Sequence, residues 1–425
     1  MRKLTVKNFS VIKEAELEFG KITVLIGPQS SGKSLLCKLA YFFEKVVREQ
    51  LAEALKLAEP VVAAVGRIQS EFSKWFPNVG VLRGEMLLVY TDGNYVVRVG
   101  GFTRDDGVGS FGFMLSSDII GSYEAVLRNV QGQIAPSGGL VNPIYYAAIF
   151  DELDRLSADK NHDIYTYVPS TRAFFVTPQM AILSSSRTDP LTFRFSQDFA
   201  LDFAGKVPPS GLKHNLTRWI DAESRRILRG EIVVRGNSEI FQANDGRELS
   251  LSILSSGTQE LLPLITCLRE FVALSAAVAE TLNFKESLHR RLFFVEEPEA
   301  SIFPASQYEL VRIFVRMSNE PILDASWVIT THSPYLLSSF NNLIEAGQVV
   351  RDHPELREEV AKIVPAQYWI KDDELKAYSI HDGVLESILS KSGLIDGEYL
   401  DGVSDTIGDE FDKLLRLEYD HSEAS

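Results

Sequence analysis

The sequence is poor in cysteine. Only Cys37 and Cys267 occur among its 425 residues, and cysteines so far apart cannot supply the closely spaced thiolates of a structural zinc site. Both stand in apolar surroundings with helical spacing, so we interpret them as reduced core residues of a cytoplasmic protein. A disulfide between them is the less favoured alternative. The chain also lacks internal repeats and low-complexity tracts, which excludes a solenoid or a fibrous protein.

Basic residues are scarce relative to acidic ones. The chain has 43 Lys plus Arg against 58 Asp plus Glu, which gives a formal net charge of -15. A surface of this charge as a whole repels phosphate backbones. Nucleic acid is therefore not favoured as a partner, and any contact with it would need a local basic patch.

Long apolar runs are also missing. The longest, around Phe271 to Ala279, falls short of the length that a membrane span needs. Lys3, Lys7 and Lys13 occur where a secretory signal would need its apolar region. We therefore expect a protein that is neither secreted nor inserted in a membrane.

The composition itself is that of a folded globular protein. Hydrophobic residues make up 45% of the chain and charged residues 24%, the usual balance for such proteins. A chain of 425 residues exceeds the usual size of one domain, which predicts two or three packed units or one core with a large insertion.

A glycine-bounded loop carries the first chemical signal. It matches the phosphate-binding pattern GxxxxGK[ST], follows the apolar run Ile22–Ile26, and precedes a helical pattern that extends to about Arg48. In this context backbone N–H groups and the positive helix end converge on phosphate oxygens, Lys33 reaches the β and γ phosphates, and the Ser34 hydroxyl binds magnesium. A plain strand-to-helix turn is the alternative, and the strand and helix on either side disfavour it. The predicted nucleotide-binding residues here are Gly27, Pro28, Gln29, Ser30, Ser31, Gly32, Lys33, Ser34 and Leu35.

The second signal is a pair of carboxylates at the end of an apolar strand. Glu296 and Glu297 follow the run Leu292–Val295, and ligands of open parallel sheets bind at the carboxyl ends of the strands. We predict that Glu296 holds a hydrated magnesium ion and that Glu297 orients an attacking water. An acidic cap after a core strand is the alternative; the upstream phosphate loop favours the catalytic interpretation.

Two weaker signals accompany these. Ser255, Ser256 and Gly257 open a helical pattern, and such a helix start is a ready anion site, although serine begins many helices that bind nothing. His332 comes just after the apolar strand Val328–Thr331. A lone histidine is usually structural.

The order of these four elements resembles that of ABC-type ATPase heads. More closely, Asn8-Phe9, the phosphate loop, Ser-Ser-Gly, Glu-Glu-Pro-Glu-Ala and Thr-Thr-His-Ser-Pro look like the SMC-like and OLD-like branch. That branch includes AAA-type ATPases of bacterial anti-phage systems such as Septu, Gabija and PARIS. The resemblance covers residues 1–45 and 240–345, and Tyr167–Arg172 resembles a further motif of the branch.

The resemblance implies an α/β fold of the P-loop NTPase class, ABC-ATPase type, with a mixed sheet core, a helical lobe and an α+β insertion. It implies ATP and Mg²⁺ as cofactors and catalytic roles for Lys33, Glu297 and His332. Two heads would close around two ATP molecules, so the Ser255–Gly257 turn of one protomer would contact the γ-phosphate held by its partner. The expected protein is a cytoplasmic homodimer or higher homo-oligomer that acts as a sensor or switch subunit for a separate effector such as a nuclease.

The resemblance also divides the chain into regions. Residues 1–48 and 143–240 would form the first ATPase lobe. Residues 241–345 would contain the Ser255–Gly257 turn, called the signature turn below, together with the paired carboxylates and His332. We expect residues 49–142 to form the α+β insertion, with helices interrupted at Pro60 and a hairpin that turns at Thr91–Asn94. Residues 346–425 would be a helical C-terminal region and a candidate partner surface.

The sequence departs from the branch at three points. Gln29 and Ser30 replace the usual Asn-Gly of the phosphate loop, and Ser301–Pro304 replaces a histidine-containing string. The C-terminal Toprim nuclease of OLD and Gabija proteins is not recognisable, because the chain has no Asp-x-Asp pair. We therefore expect any nuclease to reside on another polypeptide, and the acidic segment Asp401–Asp412 to form a solvated face or a partner surface.

Three other functions share parts of this pattern. An SMC-like DNA-repair or chromosome-maintenance ATPase is the main alternative, and the net charge and the absence of a long coiled coil weigh against it. The nucleotide-binding subunit of a transporter is disfavoured by the insertion and by the Glu-Glu-Pro-Glu string. An ATP-locked scaffold without turnover is disfavoured by the intact Glu297.

Overall fold

The computed structural model describes residues 2–77, 85–103, 109–131, 143–158, 164–173, 217–235, 238–282, 291–396 and 409–415. The strands are β1 (Arg2–Phe9), β2 (Ile12–Glu18), β3 (Ile22–Ile26), β4 (Met86–Asp92), β5 (Tyr95–Thr103), β6 (Gly109–Leu115), β7 (Ile164–Val168), β8 (Gly230–Arg235), β9 (Ser238–Ala243), β10 (Glu248–Ser250), β11 (Arg291–Glu296), β12 (Ser326–Thr331), β13 (Leu375–His381) and β14 (Val384–Ser387). The α-helices are α1 (Lys33–Tyr41), α2 (Val47–Lys56), α3 (Val61–Trp75), α4 (Ser117–Gln131), α5 (Pro143–Leu156), α6 (Arg218–Leu228), α7 (Ser256–Leu282), α8 (Pro304–Asn319), α9 (Pro334–Asp352) and α10 (Arg357–Ile363). A short helical segment also covers residues 409–415.

Most strands of the described chain belong to one mixed sheet. Its order is β6-β5-β4-β1-β2-β14-β13-β3-β12-β11-β7, and β10-β9-β8 form a second, three-stranded sheet. Strands β13, β3, β12, β11 and β7 run parallel to one another, whereas β6, β5, β4, β1 and β2 form consecutive antiparallel pairs. Strand β14 joins the two groups, parallel to β2 and antiparallel to β13. The mixed sheet with helices confirms the predicted fold class, a P-loop NTPase of ABC type.

The parallel strands bring the predicted motifs to one edge of the sheet. Every residue of β3, β11 and β12 is buried, which explains their continuous apolar runs, because a parallel sheet is covered on both faces. The phosphate loop, the paired carboxylates and His332 each follow one of these three strands. They therefore meet at the carboxyl edge.

The helix after the phosphate loop contains a π-helical turn. The predicted helical pattern is confirmed, but Phe42–Val46 forms wider π-type turns between α1 and α2. Just before it, the buried ring of Tyr41 contacts the rings of Tyr167 (5.2 Å) and Phe294 (5.3 Å) on β7 and β11. This aromatic contact fixes the phosphate-loop helix on the sheet beneath the candidate site.

The described part of region 49–142 contains both helices and strands. Pro60 precedes α3, and β4 and β5 form the predicted hairpin, whose Gly93 adopts a left-handed φ of 60°. Strand β4 pairs with β1, so the hairpin extends the central sheet at its antiparallel edge.

The C-terminal region differs from its prediction. Residues 346–425 were expected to be helical, but β13 and β14 lie inside the central sheet, with β13 parallel to β3 and β14 antiparallel to β13. The purely helical prediction was therefore wrong. Pairing with a strand some 350 residues away leaves no local periodic signal, because tertiary contacts decide which strand a segment joins.

Helix α7 is longer and more apolar than the sequence pattern indicated. Its segment Ser256–Glu280 is long and apolar enough to cross a membrane by length and composition, and 61% of its apolar part is buried inside the protein. The expectation that no such stretch exists was wrong. A helix packed on most sides by its own protein is apolar nearly all round, which accounts for this composition.

Candidate functional site

The phosphate loop is shaped by two glycines. Gly27 has a φ of 155° and Gly32 a φ of 112°. A Cβ on Gly27 would lie 2.4 Å from the Ile380 carbonyl oxygen of β13, and one on Gly32 would lie 3.0 Å from Ile12. Only glycine fits both positions without displacing a neighbour. Ser30, at a loop position where glycine is usual, adopts a left-handed φ of 60°, a conformation that disfavours a residue with a side chain.

Lys33 lies across the loop. Its Nζ donates hydrogen bonds to the carbonyl oxygens of Gly27 and Pro28, both at 2.8 Å. Burial lowers the pKa of the Lys33 ammonium, and the nearby carboxylates of Glu297 and Glu299 oppose this shift. The lysine is thus a nearly buried cation that its own loop and two carboxylates hold in place.

The loop forms one wall of a cleft of about 640 Å³. The cleft combines residues from the loop after β3, the loop after β11, the loop after β12, the β1–β2 turn and the end of α3. Its lining residues are Ser10, Val11, Gln29, Ser30, Ser31, Gly32, Lys33, Ser34, Leu35, Lys38, Phe76, Glu297 and His332. The structure therefore brings most of the predicted loop together with Glu297 and His332.

Glu297 faces His332 across this cleft. Their Oε1 and Nε2 atoms are 3.6 Å apart, and both side chains are partly exposed. Glu297 adopts a left-handed φ of 43°, and its backbone N–H donates to the Thr330 carbonyl at 2.8 Å. Strained backbone of this kind persists only where surrounding contacts hold it. The strain directs a carboxylate at the end of β11 into the cleft.

Glu296 takes a different position from its neighbour. Its side chain is buried and does not line the cleft. Its Oε2 accepts hydrogen bonds from the backbone N–H of Ser170 (3.2 Å) and the hydroxyl of Ser170 (3.5 Å), and Lys38 Nζ lies 3.6 Å from Oε1. Oε1 is buried and makes no hydrogen bond within the described residues. The Glu296 carboxylate, paired with the Lys38 ammonium, and the Ser34 hydroxyl in the cleft wall are oxygen groups of the kind that Mg²⁺ prefers as ligands.

Glu299 is a site residue to which sequence reasoning assigned no role. Its Oε1 accepts hydrogen bonds from the Thr331 hydroxyl (2.8 Å) and the His332 backbone N–H (2.6 Å). Burial raises the pKa of the Glu299 carboxyl, and these hydrogen bonds oppose the shift. Glu299 therefore fixes the backbone of the histidine loop. Its position two residues after Glu297 on an acidic turn was the available signal.

The Ser-Ser-Gly turn lies elsewhere. Ser255 and Ser256 are exposed, and none of the three residues Ser255, Ser256 and Gly257 lines the cleft. The Ser255 hydroxyl accepts a hydrogen bond from the Thr258 N–H at 3.3 Å, as at a helix start. A Cβ on Gly257 would lie 2.5 Å from the carbonyl oxygen of Ser301. The turn is thus packed against the segment that follows the carboxylate pair and presents its serines to the surface.

Arg172 is completely buried beside the carboxylate pair. Its Nη1 donates to the carbonyl oxygens of Glu296 (2.8 Å) and Pro169 (3.3 Å), its Nη2 donates to the Glu297 carbonyl (2.9 Å), and its Nε donates to the Glu260 carbonyl (3.0 Å). Burial lowers the pKa of the guanidinium, opposed by the carboxylates around it. The motif Tyr167–Arg172 therefore belongs to the site, although no role was assigned to it from the sequence.

Other cleft residues were not predicted. Lys38 follows Ser34 by one helical turn, so helical spacing could have placed it on the same face of α1. Ser10, Val11 and Phe76 come from the β1–β2 turn and the end of α3. No sequence signal connects them to the phosphate loop.

Comparisons with known proteins agree with this class of site. Residues 151–338 match the family model described as "AAA domain, putative AbiEii toxin, Type IV TA system". No curated protein matches the chain. Together the matched AAA domain and the site geometry support a P-loop ATPase.

Solved structures with similar folds include two SMC heads and a transporter ATPase. The SMC head domain of Thermotoga maritima is 13% identical, with a TM-score of 0.34 and coverage of 91% of this chain and 97% of that one. The Smc head bound to the C-terminal domain of ScpA from Pyrococcus furiosus is 10% identical, with a TM-score of 0.36 and coverage of 91% and 96%. The ADP conformation of MJ1267, an ATP-binding cassette of an ABC transporter, is 10% identical, with a TM-score of 0.32 and coverage of 96% and 99%.

Proposed function

We propose that this protein binds ATP with Mg²⁺ and hydrolyses it to ADP and phosphate. The observation that carries the proposal is the cleft in which the phosphate loop, Glu297 and His332 meet. These residues come from the ends of three adjacent parallel strands, which is where ligands bind in sheets of this kind.

The loop residues Gly27–Leu35 would bind the phosphates. Backbone N–H groups at the start of α1 point to the carboxyl edge, and the helix dipole favours negative charge there. Lys33 already lies at this position, bonded to two carbonyl oxygens. A triphosphate offers charged oxygens in their place, and charge-assisted hydrogen bonds are stronger than those to neutral carbonyls. Lys33 would therefore turn from its own loop to the β and γ phosphates.

Ser34 and Glu296 would hold the magnesium ion. The Ser34 hydroxyl lines the cleft, whereas the Glu296 carboxylate lies just beneath it, so we assign Glu296 a contact through metal-bound water. The ion would neutralise charge on the β and γ phosphates.

Glu297 would act on the attacking water. It accepts a hydrogen bond from that water and takes up its proton as the water oxygen forms a bond to the γ-phosphorus and the bond to the bridging β–γ oxygen breaks. His332, 3.6 Å from Glu297, would hold this carboxylate and the γ-phosphate side of the cleft in position. Its own backbone is fixed by Glu299.

We further propose that the active unit is a homodimer. The exposed Ser255 and Ser256 and the partly exposed Gly257 lie outside the cleft of their own chain, so they would complete the nucleotide site of a second copy. Large exposed side chains support a contact at this edge. They are Ile253 (67% exposed), Phe303 (74%) and Tyr335 (54%), which flank the signature turn, the carboxylate turn and His332.

The biological role we propose is that of a cytoplasmic switch subunit in an anti-phage defence complex. Open and closed dimers would form the two states that ATP hydrolysis interconverts. A separate effector such as a nuclease would recognise the closed dimer. The resemblance of the motifs to defence ATPases supports this role. The family description, which names a putative toxin, also fits a chain that acts with other proteins.

The direct test measures ATP binding and hydrolysis by the purified protein with and without magnesium. We expect magnesium-dependent release of phosphate, ATP-dependent dimers in light scattering, and no cleavage of DNA, RNA or tRNA by the chain alone. A protein that neither binds nor hydrolyses ATP would refute the proposal. Turnover stimulated by DNA, with affinity that falls steeply as salt rises, would favour the SMC-like alternative.

A further inference from the structure

We propose that Arg172 is a positioning residue that couples the two nucleotide sites of the dimer. The inference rests on the proposed function, because it assigns a route between the signature turn and the catalytic carboxylate of the same chain. The sequence analysis assigned no role to this arginine.

The first step is the set of contacts that Arg172 makes. Its guanidinium joins three separate elements: the end of β7 at Pro169, the end of β11 at Glu296 and Glu297, and the first turns of α7 at Glu260. Nη1 and Nη2 hold two consecutive carbonyl oxygens, whereas Nε faces α7. A planar fork with five donors can do this, and a lysine cannot.

The second step is the direction of the connection. Glu260 is three residues after Gly257, so the contact with its carbonyl (3.0 Å) and its carboxylate (3.4 Å) holds the start of the signature helix. The close approach of Gly257 to Ser301 is a second contact between the same turn and the segment after the carboxylates. A displacement of the signature turn is therefore transmitted to Glu297 through these two contacts.

The third step concerns the backbone of Glu297, the residue that such a displacement would move. The Glu297 backbone is in a strained left-handed conformation, and the Arg172 Nη2 hydrogen bond to its carbonyl (2.9 Å) is one of the contacts that hold it there. The Glu297 N–H donates to the Thr330 carbonyl at 2.8 Å, and the Glu297 carbonyl also accepts a hydrogen bond from the Ala300 N–H at 3.0 Å. A strained residue moves readily when one of its restraints shifts, so the orientation of the catalytic carboxylate depends on Arg172.

The consequence follows from the geometry of the proposed dimer. The signature turn of one chain touches ATP held by the partner, whereas Glu297 of that chain serves its own ATP. Arg172 joins the two, so ATP in one site aligns the carboxylate in the other. The device makes hydrolysis cooperative in ATP, as coupling between two sites requires.

The test compares Arg172→Lys with the wild type in three measurements: equilibrium ATP binding, kcat, and the dependence of rate on ATP concentration. We expect an ATP affinity within about twofold of wild type, because the phosphate loop is untouched. We expect kcat to fall by about 100-fold, the size expected when a catalytic group is displaced by about 1 Å. The Hill coefficient of the wild type should exceed about 1, with an upper limit of about 2 for two sites, and that of Arg172→Lys should fall to about 1; a wild-type coefficient of about 1 would overturn the coupling.

Two further variants separate coupling from a structural role. Glu260→Gln removes the partner carboxylate and keeps the backbone carbonyl; its effect on the Hill coefficient should not add to that of Arg172→Lys, because both break one connection. Arg269→Lys is the matched control, since Arg269 is an arginine on α7, the helix that Arg172 contacts, but pairs with Asp221 (2.7 Å). It should leave kcat and cooperativity unchanged.

The outcomes are distinct. A wild-type chain without ATPase activity refutes the proposed function. Wild-type activity with a normal kcat and Hill coefficient in Arg172→Lys overturns the coupling role alone. A melting temperature, ATP affinity and kcat that all fall together, with the Hill coefficient retained, would show that Arg172 is only structural.

Discussion

The two halves of the proposed site differ in how much of their binding geometry one chain supplies. The phosphate-loop side is a cleft of about 640 Å³ that already contains Lys33, Glu297 and His332. The signature side is a turn with two exposed serines outside that cleft. A shaped cavity binds a ligand by itself, whereas an exposed turn contributes only when another surface meets it. If the proposed function holds, one chain should hold ATP by itself but need a second copy for efficient hydrolysis.

The largest effect is expected from a variant that disrupts the phosphate-loop side of the site. Lys33→Ala should abolish detectable ATP binding and turnover, because it removes the buried cation that lies on the phosphate loop. The strand and helix around it stay packed, so the fold should persist. Isothermal titration and phosphate release test this, with circular dichroism as a check on folding.

Lys74→Ala is the matched control for this variant. Lys74 is an exposed lysine on α3 that pairs with Glu71, and its loss should not change ATP binding. Retained binding and turnover in Lys33→Ala would exclude the phosphate-loop assignment.

The next effect separates the two adjacent carboxylates. Glu297→Gln should keep ATP binding but lower the hydrolysis rate by about 10²–10⁴-fold, the usual contribution of a group that handles the proton of the nucleophile. Trapped ATP should hold the dimer closed, which light scattering would detect.

Glu296→Gln sharpens this comparison. Glu296 is buried and lies outside the cleft lining, so this variant should mainly raise the magnesium concentration needed for half-maximal activity. A dead Glu296→Gln with a fully active Glu297→Gln would mean that the two roles are reversed.

A smaller effect tests the signature side. Ser256→Arg should leave ATP binding intact but block closure, because a long cation replaces an exposed small side chain. Mixed with Lys33→Ala, it should restore at most roughly a quarter of wild-type turnover, since half of the dimers are heterodimers and each has one intact site of two. The coupling through Arg172 lowers this recovery, because the second site of the heterodimer holds no ATP.

Ser73→Arg, an exposed site on α3, serves as the control for added charge. If the mixture stays inactive and the wild type shows no ATP-dependent change in assembly, the head-to-head dimer is refuted. Recovery of activity requires that the two sites be able to turn over separately.

The smallest effect is expected from a change of Glu299, the carboxyl group that fixes the loop of His332. Burial raises the pKa of Glu299 above its ordinary value of 4.5, so between 4.5 and the raised value the folded protein binds more protons than the unfolded one. Its contribution to stability is therefore greatest at low pH and declines as pH rises through this interval. Glu299→Gln should remove that dependence.

The magnitude should be modest, with a melting temperature at pH 7 within about 2 °C of wild type. The Gln amide oxygen can still accept from Thr331 and from the His332 N–H, so position is kept without the buried charge. Calorimetry of both proteins from pH 4 to 8 measures the difference. If the stabilities of the wild type and Glu299→Gln change with pH in parallel, burial does not raise the pKa of Glu299 as stated.

Residues near the phosphate loop show how far the sequence is informative. The string from Gly27 to Ser34 predicted both the strand before it and the helix after it, because its glycines, its lysine and the flanking apolar runs each act locally. The hairpin at Thr91–Asn94 and the strands β11 and β12 were predicted for the same reason. Glu297 and His332 directly follow two of these strands, so the sequence pointed to two residues of the cleft outside the loop, but not to Ser10, Val11 or Phe76.

What the sequence by itself determined, then, are the elements whose causes lie within a few residues: runs of buried apolar side chains, turns that need glycine, and motifs at strand ends. The tertiary structure alone decided that β13 enters the sheet beside β3, that Glu299 fixes the loop of His332, and that Arg172 joins α7 to the carboxylate pair. Each of these contacts joins segments at least 30 residues apart. A local pattern shows that a segment must bury a face or satisfy a charge, but it does not specify the distant partner, which only packing of the whole chain selects.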